Sequence, residues 1–135
     1  MTSILPPPSS SLLSTTALII SLLPIGLGSL ALSNPSFMLE KMFEFPLPAS
    51  PADRKIATNQ MRSFGIRDIF VGAACLGAWY RGDEKLLGSL VLMGAGLATV
   101  DGFAQRSAIG RGQWTKHWMF VPVMAGVGAG LVGWV

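Results

Sequence analysis

Arg67, Asp68, Asp101 and His117 carry the side chains of this 135-residue chain best suited to moving protons, and each stands near the edge of an otherwise apolar run. An ionisable group at membrane depth is costly to keep, so it is read first as a working site. In that reading Asp101 is a general acid or base, Arg67 orients it or binds an oxyanion, His117 transfers a proton, and Asp68 stands beside them. The opposing reading is structural. Arg67 and Asp101 pair to fix helix register, Asp68 caps or pairs locally, and His117 marks an interface, because buried ion pairs and active sites look alike in a sequence.

The elements that must position these residues are four apolar stretches, at 12–33, 64–80, 86–104 and 117–135. A hydrocarbon core about 30 Å thick takes about 20 apolar residues of helix. The first stretch has no charged side chain, the second has only Arg67 and Asp68 near its start, and the third only Asp101 near its end. Arg67 and Asp101 therefore lie at one depth, about 4.5 Å inside the ends of their spans at 1.5 Å per residue. Asp101 also shares a helical face with Gly94 and Ala98, a small-residue stripe that predicts contact with another helix. An inward Asp needs a partner, and Arg67 has the opposite sign.

Composition agrees with a membrane domain. Half of the residues are hydrophobic, 13% are charged and mean hydropathy is +0.52, against about 25% charged in soluble domains. The expected fold is all-α, a single integral membrane four-helix bundle over residues 1–135, with 34–63 as a cytosolic linker. MTSILPPPSSS has no Lys or Arg, so the first stretch is expected to be a retained anchor rather than a cleaved signal. Seven basic residues, Lys41, Arg54, Lys55, Arg62, Arg106, Arg111 and Lys116, flank one side, and only Arg81 and Lys85 the other. The basic side is expected in the cytosol and both termini in the lumen. The net charge of +3 then reflects topology and anionic headgroups. Scattered basic residues without a reading module argue against nucleic acid.

Within the linker, Ser50, Pro51 and Asp53 form a helix-start pattern, which predicts that the second helix begins near Pro51, outside the bilayer. The linker is expected to fold over the polar mouth, where Glu40 and Glu44 also lie. Phe37, Leu39, Met42, Phe43 and Phe45 are expected in the interface or lining an entrance. Trp79, Tyr80, Trp114, Trp118 and Trp134 fall at span ends, as interfacial aromatics do. Ala73 with Gly77, and Gly126 with Gly130, predict further close helix contacts. Pro122 is expected to kink the last span. Cys75 has no second cysteine to pair with and is expected to pack. With one His and one Cys no metal or cofactor cluster is expected, and GVGAG lacks the strand and Lys of a phosphate loop.

The runs FGIRDIFVGA (64–73) and ATVDGF (98–103) and the triplet KHW (116–118) resemble a family of small four-helix integral membrane proteins, domain of unknown function 4267, in its fungal form. The likeness covers about residues 60–135, and its polar signature maps onto Gly65, Arg67, Asp68, Asp101, Gly102 and His117. It implies company with pathways that make lipophilic specialised metabolites. The function expected from residues and resemblance together is binding of a lipophilic small molecule in an internal membrane, the endoplasmic reticulum, with cofactor-free acid/base chemistry such as epoxide hydration, cyclisation or isomerisation. The alternative is a noncatalytic scaffold or accessory subunit for a membrane-bound partner enzyme, or a homo-oligomer, joined through Gly-rich faces.

Overall fold

The computed structural model describes residues 11–110 and 118–135, and among these the regular structure is entirely helical. Helix α1 spans Leu12–Ser33 and starts where the Ser11 hydroxyl accepts the Ser14 amide at 3.1 Å. Its hydroxyls cost little in an apolar helix because they bond back to carbonyls one turn earlier, as Ser21 does to Ala17 at 2.6 Å and Ser29 to Ile25 at 2.7 Å. Asn34 ends α1 and caps the short α2 (Pro35–Phe37) by accepting the Phe37 amide. A π-helical turn over Met38–Met42 follows.

Helix α3 runs Pro51–Tyr80. It begins where the Ser-Pro-x-Asp pattern placed it, with the Ser50 hydroxyl accepting the Asp53 amide. The apolar stretch 64–80 is thus the inner part of a 30-residue helix. Gly82, at φ +68°, makes the tight turn into α4 (Glu84–Ile109), and Asp83 caps that helix through the Leu86 amide at 3.0 Å. Helix α5 covers Val121–Val132.

Pro122 lies in the first turn of α5. There its missing N–H costs no intrahelical bond, so it starts the helix where a kink was expected. The proline that does sit inside a helix is Pro24 of α1.

The closest pairs are α1 with α3 and α4 with α5, and α3 against α4 joins them. Glycine makes each close pairing possible. A Cβ on Gly65 would lie 2.6 Å from the Gly28 carbonyl, and one on Gly88 would lie 2.8 Å from the Gly128 carbonyl. Of the expected contact positions, Gly130 meets Leu13 of α1 and Gly94 the flexible end of Met124, while among the described residues nothing lies against Gly77 or Gly126. Spacing alone marks small residues on every face of a helix. Which face is turned inward depends on its large neighbours.

Two buried clusters result. One joins Ala17, Cys75, Ala78, Leu87, Val91, Val127 and Leu131 at the level of the α3–α4 turn, with Trp79 against it. The other joins Ala31, Met38, Leu39, Phe43 and Met61 at the opposite end, with Phe45 and Phe64 packed on it. The linker therefore does cover this end of the helices, but Leu39 and Phe43 are core residues, while Phe37 and Met42 are exposed. Trp118 donates to the Thr99 carbonyl at 3.3 Å and is not a free interfacial ring. Trp114 lies outside the described residues.

Helices α1 and α4 are each long and apolar enough to cross a membrane. The expected second and fourth spans are weaker. Arg67 and Asp68 interrupt the first of them, and α5, at 12 residues, is about 18 Å long against a hydrocarbon core of about 30 Å.

Candidate functional site

Arg67 stands one helical turn beyond Phe64 on α3, and its guanidinium carbon sits 4.0 Å from the centre of that ring. The guanidinium reaches α4. Its Nη1 donates to Asp101 Oδ1 at 3.1 Å and its Nη2 to Asp101 Oδ2 at 2.7 Å, a two-pronged pairing that fixes both the distance and the rotation of the carboxylate. The pairing expected from shared depth is present, across 34 residues of sequence.

Asp68 joins the same cation. Adjacent residues on a helix normally point apart, yet the long Arg67 side chain folds back so that Nε and Nη2 both donate to Asp68 Oδ1, at 3.1 and 2.9 Å. Two carboxylates therefore share one guanidinium. Among the described residues Arg67 is the cation within ion-pair reach of either acid, so two carboxyl groups there face one guanidinium. Asp101 has both oxygens committed to Arg67, whereas Asp68 Oδ2 accepts no hydrogen bond among the described residues. The Asp68 and Asp101 side chains are 16% and 15% exposed, so both carboxyl groups are held largely away from bulk solvent.

A ring of contacts supports the cluster. Phe64, beneath Arg67, meets the edge of Phe43 with ring centres 5.1 Å apart. The Phe43 carbonyl accepts from Gln105 Nε2 at 2.9 Å, and Gln105 stands one turn beyond Asp101 on α4. Gln105 is buried, and its Oε1 has no hydrogen-bond partner among the described residues. Glu44, between the two stacked rings Phe43 and Phe45, holds a left-handed φ of +58°, a conformation that a residue with a side chain adopts at some cost. On the other flank, Trp118 stacks edge-on against Phe103 at 4.7 Å and bonds Thr99, two residues either side of Asp101.

Of the four residues singled out by sequence, the structure brings Arg67, Asp68 and Asp101 together, and His117 lies outside the described residues. Glu40 and Glu44 make no ion pair with Arg67 among the described residues. Phe64 and Gln105 were missed. Gln105 had a signal: a polar residue four positions from an inward Asp is turned inward too. Phe64 had none beyond its spacing from Arg67. Cys75 is buried in the α1–α3–α4 core, and no group of three His, Cys, Asp or Glu side chains among the described residues is placed to hold a metal.

A family model described as Domain of unknown function (DUF4267) matches residues 21–131, a stretch that includes every residue of this cluster. No curated protein and no solved structure matches the chain.

Proposed function

The chain belongs to the DUF4267 family, and from its charged cluster we propose that it is an integral membrane four-helix bundle that binds a lipophilic small molecule and performs cofactor-free acid/base chemistry on it. The carrying observation is that two carboxylates share Arg67 unequally. Asp101, bound through both oxygens, holds Arg67 in place. Asp68, with an uncommitted oxygen, is the better proton acceptor, so the role of base passes from Asp101 to Asp68. Arg67 is a third exposed, and that open edge is where a developing oxyanion would be stabilised. His117 remains the candidate second proton carrier on sequence grounds. Isomerisation and cyclisation need a proton removed at one atom and one returned at another, and epoxide hydration also consumes a water, whose proton the base takes as its oxygen bonds to the ring carbon while the ring C–O bond breaks and the alkoxide is protonated.

Membrane residence is supported by what the helices leave uncovered. Ile19, Leu22 and Leu27 of α1, Phe70 of α3 and Val100 and Phe103 of α4 are all exposed, and uncovered apolar side chains on successive helices suit a lipid surface. We place the protein in the endoplasmic reticulum with the linker and the α4–α5 connection cytosolic. The open faces at Gly77 and Gly126 favour a second reading, a scaffold whose partner helix docks there.

The test compares lipophilic metabolites of host cells that make the wild-type protein, Asp68→Asn, Asp101→Asn or His117→Gln, with protein abundance measured in the same membranes. Catalysis requires a product that appears with wild type and falls by about 10²–10⁴-fold with Asp68→Asn. Unchanged product with all three variants, at normal abundance, rejects catalysis and leaves the scaffold.

A further inference from the structure

Outward of the acid cluster, the first turns of α3 and the corner between α1 and α2 flank an open, solvent-facing cleft of about 480 Å³. Arg54, Thr58 and Arg62 recur at every fourth residue, so they share one face of α3, and Lys55 adjoins it. Pro35 and Ser36 form the facing wall. The cleft thus brings three cations and two hydroxyl-bearing side chains to one volume, and no carboxylate lines it.

Charge of this kind is normally neutralised by neighbouring acids. Here none of Arg54, Lys55 and Arg62 is within ion-pair distance of an Asp or Glu among the described residues. Asp53, the nearest acid in sequence, stands in the first turn of α3 and is not a lining residue. Two of the cations are pre-positioned by neutral acceptors: Arg54 Nε donates to the Pro48 carbonyl at 3.2 Å, and Arg62 Nη1 to Asn59 Oδ1 at 3.0 Å. Each guanidinium is thereby held in orientation while most of its N–H groups stay available. A neutral anchor fixes a cation without cancelling its charge.

We propose that this cleft is a binding site for a phosphate monoester, carried either on a lipid headgroup or on a water-soluble molecule. A monoester bears about −1.5 to −2 charges near neutral pH and offers three acceptor oxygens, which matches three cations better than a singly charged diester does. Arg62 lies five residues before Arg67 along α3, about 7.5 Å outward of the acid cluster. A bound phosphate and a molecule at the cluster would therefore occupy separate places. The site stands on its own residues and does not depend on the acid/base reading.

Calorimetric titration of the detergent-solubilised full chain tests it, with four probes: a short-chain phosphatidate, a short-chain phosphatidylserine, a short-chain phosphatidylcholine and glycerol 3-phosphate. Saturable binding of phosphatidate alone assigns a lipid headgroup, and binding of glycerol 3-phosphate as well assigns a soluble monoester. Arg54→Gln, Lys55→Gln and Arg62→Gln should each weaken that binding about tenfold, the loss of one charge-assisted contact. Lys41→Gln, an exposed cation outside the cleft, should leave it unchanged. The proposal is overturned if neither monoester binds saturably, if phosphatidylserine or phosphatidylcholine binds as tightly, or if the affinity survives Arg54→Gln and Arg62→Gln in variants that keep the wild-type helical signal.

Discussion

At the scale of single residues, the unequal sharing of Arg67 separates what Asp68 and Asp101 do for stability. Asp101 accepts both prongs of the guanidinium, so Asp101→Asn removes the main partner of a half-buried cation. The expected loss is about 2–3 kcal/mol, below the ~3–5 of a fully buried pair because Arg67 keeps some solvent. Asp68→Asn should cost nothing or raise stability, since it relieves repulsion between two acids that face one cation. Denaturation of both variants in detergent micelles measures the difference, and equal losses would refute the asymmetry. The exchange Arg67→Asp with Asp101→Arg should recover part of the Asp101 loss in a double-mutant cycle, because the three charges then occupy the same volume with the same sum. The pairing of Arg67 with Asp101 was legible in the sequence because helical rise converts position into depth. The sharing with Asp68 was not, since neighbours on a helix are expected to diverge and only the bend of a long side chain brings them together.

At the scale of elements, the positions of glycine decide how closely helices approach, and the sequence marks too many of them. Hydropathy located α1 over 12–33, and the Ser-Pro-x-Asp pattern located the start of α3, because caps and apolar runs are local properties. Helix-to-helix contact is not local. Gly94, Gly126 and Gly77 share the spacing of contact glycines, but the close approaches to a facing backbone are made by Gly28 with Gly65, Gly72 with the Ser21 carbonyl, and Gly88 with Gly128. Gly88→Ala and Gly65→Ala place a methyl group against a facing carbonyl that cannot retreat without moving a helix. Each should destabilise by about 1–3 kcal/mol. Gly77→Ala and Gly126→Ala have open space and a helical backbone, so each should leave a monomer unchanged or stabilise it by up to about 1 kcal/mol. Thermal melting of the four purified variants checks the contrast. If Gly126→Ala or Gly77→Ala instead lowers stability in the bilayer but not in micelles, those faces are occupied by another helix in the membrane.

At the scale of the whole molecule, charge and apolar surface point the same way. The linker and the basic cleft lie at one end of the helices, with the charged cluster inward of them about midway along α3, while the α3–α4 turn, with Arg81 and Lys85, lies at the other end. Ser11 donates to Glu84 there at 3.2 Å, which sets the start of α1 beside the start of α4. Lys and Arg are retained on the cytosolic side during insertion, so the end that holds Arg54, Lys55 and Arg62 should face the cytosol and Val135 the lumen. The exposed apolar side chains of α1 and α4 should keep the chain in membranes through an alkaline carbonate wash, which strips proteins held by charge alone. Orientation is then read with single cysteines in a Cys75→Ala background, at the exposed positions Ala52, Ala108 and Val135. An impermeant maleimide applied to sealed microsomes should label Ala52→Cys and Ala108→Cys at once and Val135→Cys only after the membrane is opened. Labelling of Val135→Cys in sealed vesicles together with protection of the other two would reverse the orientation and move the acid cluster and the basic cleft to the lumenal face. Labelling of all three, with release into the carbonate supernatant, would end the membrane reading altogether.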